Sequence, residues 1–370
     1  MSEKIFSEVK KNFGFGCMRL PMKNGDVDYE QTSKMVDAFI EAGFNYFDTA
    51  HGYIDGKSEI AVRKCLTSRY PRESYVLANK LSPNFFDSED EIIPLFEEQL
   101  KICGVEYFDF YLMHTQNKDL FAKYKRCRAY ETAIQLRKEG RIKHLAISFH
   151  DTADVLDDIL TTYPEVEAVQ IQFNYYDYEH DKVQARLCYE VCRKHGKPII
   201  VMEPVRGGAL ADLPEEAAHV LAELNGGSAA SYAIRYAAGF DGIFMVLSGM
   251  GSMEMMNDNV SYMKDFQPLS KAELEAVAKV THILKNQELI PCTACRYCTE
   301  VCPQSIAIPE IFGFINDKRR MKNRSYSRIV EKSGARPASE CISCGACEAS
   351  CPQHIEIREL LSYAAKTFEK

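Results

Sequence analysis

The chain has 370 residues, 46% of them hydrophobic and 26% charged, with a formal net charge of −8 at pH 7. That length suits one large domain and a small one, and the acidic balance argues against nucleic acid as the main partner. No apolar run approaches the roughly 20 residues that a membrane helix needs, so no membrane partner is expected.

Upstream of residue 280, short apolar runs alternate with helical patterns. They are FGFGCMRL from Phe13, FNYFDTA from Phe44, YVLANKL from Tyr75, FDFYLMH from Phe108, HLAISF from His144, AVQIQFN from Ala168, PIIVMEP from Pro198 and GIFMVLSG from Gly242. Their near-continuous apolar character is that of parallel strands covered on both faces. Between them lie amphipathic segments such as Thr32 to Ala42, with Met35, Ala38, Phe39 and Ala42 on one face and Gly43 as a stop. Eight strands alternating with helices over about 250 residues predict an α/β fold, a (β/α)8 TIM barrel. A doubly wound sheet is the rival, but no G-x-G-x-x-G follows the first strand. The helix expected over Lys271 to Lys285 closes this part, giving a barrel over 1–287 and a small, mostly helical domain over 288–370.

The small domain carries two copies of one pattern, C-x2-C-x2-C-x3-C-P: Cys292, Cys295, Cys298, Cys302, Pro303 and Cys341, Cys344, Cys347, Cys351, Pro352. Disulfides suit small secreted chains, and zinc sites pair C-x2-C units without a third cysteine at the same interval. The runs instead resemble those of bacterial two-cluster ferredoxins, which hold two 4Fe-4S clusters. In that resemblance the fourth cysteine of each run serves the other cluster. One cluster would take Cys292, Cys295, Cys298 and Cys351, and the other Cys341, Cys344, Cys347 and Cys302. Such thiolates and sulfides need a reducing interior, so a cytoplasmic setting is expected. Helical material lies between the runs, and the basic stretch Lys318, Arg319, Arg320, Lys322, Arg324, Arg328 reads as a solvated face, or else as a dock for an acidic electron-carrier protein. Cys17, Cys65, Cys103, Cys127, Cys188 and Cys192 form no metal-spaced group and read as buried apolar residues.

In a barrel, chemistry is done where the strands' C-terminal ends converge. Asp48 ends the second run, Tyr53 follows in its loop, Lys80 ends the third and His114 the fourth. The segments FDTAHGY, ANK, FDFYLMH and VQIQFNYYD resemble, in order, the strand-end motifs of the aldo-keto reductases. GFGCMRLP, YIDGKSE and VMEPVRGG resemble the branch of that family with a C-terminal 4Fe-4S dicluster domain. The resemblance implies hydride transfer between a nicotinamide cofactor and a small carbonyl or alcohol. Tyr53 would be the acid, Lys80 the cation that makes its phenol more acidic, Asp48 the partner of Lys80, and His114 a hydrogen-bond donor to the carbonyl oxygen.

The same resemblance places Ser148 and Gln170 against the nicotinamide, Asn259 near the adenine, and Pro204, Val205, Arg206, Gly207 and Gly208 at the pyrophosphate. Arg206 beside two glycines suits that last task, since glycines let backbone N–H groups approach phosphate. Met202 stands where many members stack a tyrosine. Ser248 to Val260 contains no Lys or Arg, which leans towards NADH, whereas family habit leans towards NADPH. Phe149 and His150 stand where an Asn is common. Arg19, His51, Tyr175 and Glu203 also ring the expected mouth, and Arg19 would either recognise a substrate anion or pair with Glu203 or Asp55.

Hydride transfer moves two electrons, whereas a 4Fe-4S cluster passes one. Three readings follow. The clusters brace a carbonyl reductase, or they relay electrons in a ferredoxin-coupled enzyme to which FMN could also bind, or the barrel is a non-catalytic dinucleotide-binding redox sensor. An intact Tyr–Lys pair speaks against the third.

Overall fold

The computed structural model describes residues 6–224, 226–287, 289–319 and 325–369. Eight parallel strands close into a barrel: β1 (Phe13–Gly16), β2 (Tyr46–Asp48), β3 (Val76–Leu81), β4 (Phe108–Gln116), β5 (Ile142–Phe149), β6 (Ala168–Gln172), β7 (Ile199–Met202) and β8 (Ile243–Gly249). Each strand pairs with its sequence neighbours, and β1 closes the ring by pairing with both β2 and β8. Every residue of β2 and β3 is buried, as a sheet covered by helices outside and side chains inside requires.

The helices bind through the faces that their patterns offer. Asp28 caps the helix Tyr29–Glu41 by accepting from the Gln31 amide at 3.0 Å, so the helix begins ahead of the apolar stripe that reveals it. Met35, Val36 and Phe39 face the barrel, and Phe39 stacks on Phe44 at 5.0 Å. Burying each such side chain contributes about 1.5–3 kcal/mol. Helix Lys271–Lys285 opens with a capping box between Ser270 and Glu273 and buries Ala276, Val277, Val280 and Leu284. The run from Phe13 yields a shorter strand than the pattern suggests, because Cys17–Arg19 bends into a 3-10 turn that leaves the sheet.

The C-terminal region has its own hydrophobic core. Helix Ile308–Arg319 contributes Ile308, Ile311, Phe312, Phe314 and Ile315, and helix Ile357–Phe368 contributes Ile357, Leu361 and Ala364. Helix Tyr326–Ser333 adds Tyr326 and Val330. Arg320, Lys322 and Arg324 of the basic stretch lie outside the described residues, as does residue 288 at the expected domain boundary. The six scattered cysteines are all buried and unpaired. Among the described residues no helix is long and apolar enough to cross a membrane.

Candidate active site

The strand ends bring four polar side chains together at the mouth. Lys80, 1% exposed on β3, donates to Asp48 Oδ1 at 2.6 Å and to the Thr49 carbonyl at 2.8 Å. Its ammonium also stands 5.0 Å from the centroid of the Tyr53 ring. Tyr53 reaches this position from a tight loop in which Ile54, Asp55 and Gly56 all have positive φ. His114, on β4, packs edge-on to Tyr53 at 5.9 Å, and its Nδ1 shares a 2.8 Å hydrogen bond with Ser82 Oγ.

Burial governs the charges. It lowers the affinity of Lys80 for its proton and raises that of Asp48, and in each case the partner opposes the shift. It holds His114 well below the usual histidine range, so the ring is neutral at pH 7. The Tyr53 phenol is pushed well above its usual value, first by burial and then by the neighbouring Tyr297 phenol. In the resting site burial and Tyr297 thus outweigh any acidifying effect of Lys80 on this phenol. The ammonium lies by the ring and spends its hydrogen bonds on Asp48 and Thr49.

A cavity of about 380 Å³ opens on Tyr53 and His114. Its other walls come from Phe85 and His150 of the barrel loops and from Tyr297, Glu300, Cys351 and His354 of the C-terminal region. Tyr297 packs against His114 at 6.3 Å and His150 at 6.2 Å. Burial holds His150 near pKa 4, and its Nδ1 is buried without a partner. Burial, with Asp55 adding, pushes Glu300 up to about 7. Tyr297 is the residue that the sequence reading passed over. The local sequence does not mark it, since the place before the third cysteine is Tyr297 in one run and Ala346 in the other.

The eight cysteines fall into two sets of four. Cys292, Cys295, Cys298 and Cys351 surround one cavity, walled by Ile308, Phe312, Ile355 and Ile357. Cys302, Cys341, Cys344 and Cys347 surround a second. The Ala294 and Ser343 amides each donate to a cysteine sulfur at 3.4 Å. Burial pushes Cys292 to about 11 and Cys295 to about 12, a cost that a cationic group bound to the thiolates would reverse. Among the described residues no set of His, Cys, Asp or Glu is arranged for a single metal ion. Four sulfurs around an apolar cavity, with N–H donors to sulfur, fit a cube of iron and sulfide.

The dinucleotide residues are placed differently. Ser148 Oγ accepts from the Thr115 amide at 2.8 Å, and Gln170 is buried. Asn259 is 5% exposed, donating to Ser248 Oγ at 2.9 Å and accepting from the Tyr262 hydroxyl at 2.5 Å. Arg206 is buried against Asp177, at 3.0 and 3.1 Å to its two carboxylate oxygens, and its guanidinium reaches the Pro291 carbonyl and Gln353 Oε1, each at 3.4 Å. Arg19 donates to the Thr293 carbonyl at 3.1 Å and lies 3.8 Å from Glu203. A Cβ on Gly207 would stand 2.1 Å from the Thr293 carbonyl oxygen. The loop Pro204–Gly208, expected to meet a pyrophosphate, thus holds the chain's own segment 291–293. With that segment in place, the glycine backbone of this loop is not free to meet a pyrophosphate.

Comparison with known proteins bears on this arrangement. Residues 12–282 match the model of the aldo/keto reductase family and residues 291–356 that of the 4Fe-4S dicluster domain. The chain belongs to the aldo/keto reductase family and carries a C-terminal 4Fe-4S dicluster domain. An aldo-keto reductase of Mycobacterium sp. (strain KMS) is 28% identical over 211 residues, 56% of this chain and 70% of that protein. An NADH-specific methylglyoxal reductase of Escherichia coli (strain K12) is 26% identical over 210 residues, 51% of this chain and 61% of that protein. Among solved structures, an aldo-keto reductase of Klebsiella pneumoniae in complex with NADPH superposes with a TM-score of 0.58 at 20% identity, covering 74% of this chain and 95% of that one. The holo form of an aldo-keto reductase from Bacillus halodurans gives 0.59 at 23% identity, covering 73% and 91%.

Proposed function

We propose that the chain is an oxidoreductase that interconverts a small carbonyl compound and its alcohol, with Tyr53 as the proton donor to the carbonyl oxygen. The observation that carries this reading is the buried Asp48–Lys80 pair lying against Tyr53 beside a neutral His114, at one wall of a cavity. Reduction builds negative charge on the substrate oxygen, and a site that excludes water strengthens whatever answers that charge. The raised affinity of Tyr53 for its proton keeps the phenol protonated until an alkoxide, a stronger base than a phenolate, forms beside it. Lys80 then stabilises the phenolate left behind. If Ser82 donates to Nδ1 of His114, the imidazole keeps its proton on Nε2, where it can donate to the same oxygen.

The eight cysteines would hold two 4Fe-4S clusters that supply single electrons, one set of four bordering the cavity through Cys351. The test is Tyr53→Phe. Carbonyl reduction should fall by about 10²–10⁴-fold, the range for loss of a general acid, while iron content and thermal stability stay at wild-type values. Unchanged turnover in the variant would remove Tyr53 from the chemistry.

A further inference from the structure

We propose that the segment 291–297 of the dicluster domain is the permanent occupant of the barrel's dinucleotide groove, so that this chain binds neither NADH nor NADPH and its substrate is reduced one electron at a time from the cysteine-bearing side of the cavity. The inference rests on the carbonyl reading above and specifies its electron source and substrate class.

The docking is built, not incidental. Two arginines from different loops, Arg19 and Arg206, donate to consecutive stretches of the same backbone, at Thr293 and Pro291. Arg206 is fixed for the task by Asp177, itself fully buried. The turn that presents Arg206 is costly, since Glu203 and Arg206 both have positive φ. Gly207 admits the Thr293 carbonyl where any side chain would collide with it. Thr293 is 3% exposed in consequence. Beyond it Tyr297 comes down on Tyr53, so the domain both fills the groove and roofs the cavity.

The two cysteine sets then have different surroundings. Cys351 lines both the first set's cavity and the catalytic one. The second set lies near the surface, with Cys344 exposed and Ile342 60% exposed beside it. An external one-electron carrier of low potential can therefore approach the second set, while only the first borders the substrate. Delivery in single steps passes through a radical, which must be delocalised to be accessible. The walls formed by Tyr53, Phe85, His114, His150 and Tyr297 suit a flat ring. The substrate class is accordingly a quinonoid carbonyl. It takes two electrons from the carrier and two protons, one passed by Tyr53 and replaced from solvent and one from solvent directly, to give the dihydroxy product.

The test uses anaerobically purified holoprotein. Equilibrium dialysis against 1 mM-scale NADH and NADPH should show no saturable binding. Saturable binding of either nucleotide by wild type, or bleaching of cluster absorbance by it, overturns the proposal whatever the fate of the carbonyl reading. With clusters reduced by dithionite and excess reductant removed, 1,4-naphthoquinone should reoxidise them at two electrons per quinone, at least ~10-fold more slowly in Tyr53→Phe. Its dihydroxy form should shift the electron paramagnetic resonance of one cluster and leave the other unchanged. Equal shifts or none would overturn the assigned path. Loss of the Tyr53 dependence alone would sink the carbonyl reading and spare the proposal on the groove.

Discussion

Replacing Lys80 separates what the ammonium does for folding from what it does for chemistry. Its nitrogen lies 2.6 Å from Asp48 Oδ1, and both side chains are almost wholly buried. At an effective dielectric of about 20 the pair attracts by roughly 6 kcal/mol, but removing two ions from water costs several kcal/mol each. The intact pair is therefore near break-even, while Lys80→Met strands a carboxylate whose second oxygen already has no partner. The expected loss is about 3–5 kcal/mol. Asp48→Leu/Lys80→Met should recover most of it, because the double variant buries no charge. Urea unfolding followed by circular dichroism, read on the barrel transition alone, measures both.

The pH dependence carries a sign. Burial raises the carboxyl of Asp48, and without Lys80 nothing opposes that rise, so the carboxylate form disfavours folding above the unfolded carboxylate range near ~4. The deficit of Lys80→Met should thus be larger at pH 8 than at pH 5. A loss below about 1 kcal/mol, or a double variant no more stable than the single, would refute the argument. Neither variant should retain carbonyl reduction.

Cys292→Ser and Cys351→Ser should each lose about half of the bound iron, and the double variant should lose no more than either. Pairing Cys292→Ser with Cys341→Ser should remove nearly all of it. If Cys351 instead behaved with Cys341, the crossed ligation would be wrong. His144, held between Glu167 at 2.5 Å and Glu8 at 2.6 Å, tests the barrel's closed end. Burial works against its charged form, but the two carboxylates outweigh burial and raise its pKa. Its stabilisation is complete below the unfolded histidine value near ~6.5 and is lost as pH rises through the folded value. His144→Gln should therefore cost about 1.5–3 kcal/mol at pH 6 and less at pH 9, as read from denaturant midpoints. A pH-independent cost would exclude the charged imidazole.

The barrel was legible because its strands are buried on both faces and so carry runs such as YVLANKL that nothing else explains. Helix Lys271–Lys285 was legible to its ends, since a capping box and an apolar stripe mark it locally. Asp48, Lys80 and His114 were named from sequence because each sits near the end of a strand, with Tyr53 in the loop that follows Asp48, and strand ends converge in a barrel. Arg206 was not legible in the same way. A positive residue beside glycines has the chemistry of a phosphate loop, and only the fold shows that Asp177 and the backbone of 291–293 reach it first. Tyr297 escaped for the same reason: its partners Tyr53, His114 and His150 lie some 150 to 240 residues upstream, roughly counted, and no local pattern encodes such a contact.

The strained turn after β7 supplies a last test of how the two parts depend on each other. Glu203 and Arg206 hold positive φ without being glycine, at about 1–3 kcal/mol each. The Arg206–Asp177 pair lies wholly within the barrel and involves no group of the C-terminal domain. The bonds from Arg19 and Arg206 to Thr293, Pro291 and Gln353 cross between the two parts. If those bonds offset the strain, stripping iron from the holoprotein should free segment 291–298, whose cysteines no longer share a cluster, and the turn should open with it. Hydrogen exchange at the Gly208, Ala209 and Leu210 amides, which now donate to Val205, Arg206 and Val205 carbonyls, should quicken by about 10-fold for each 1.4 kcal/mol released. Exchange along β3 should stay as it was, since its ladder pairs, among the described residues, with β2 and β4. Unchanged exchange at 208–210 in the stripped protein would mean that Asp177 alone holds the turn, and that the dicluster domain rests on a loop already shaped to receive it.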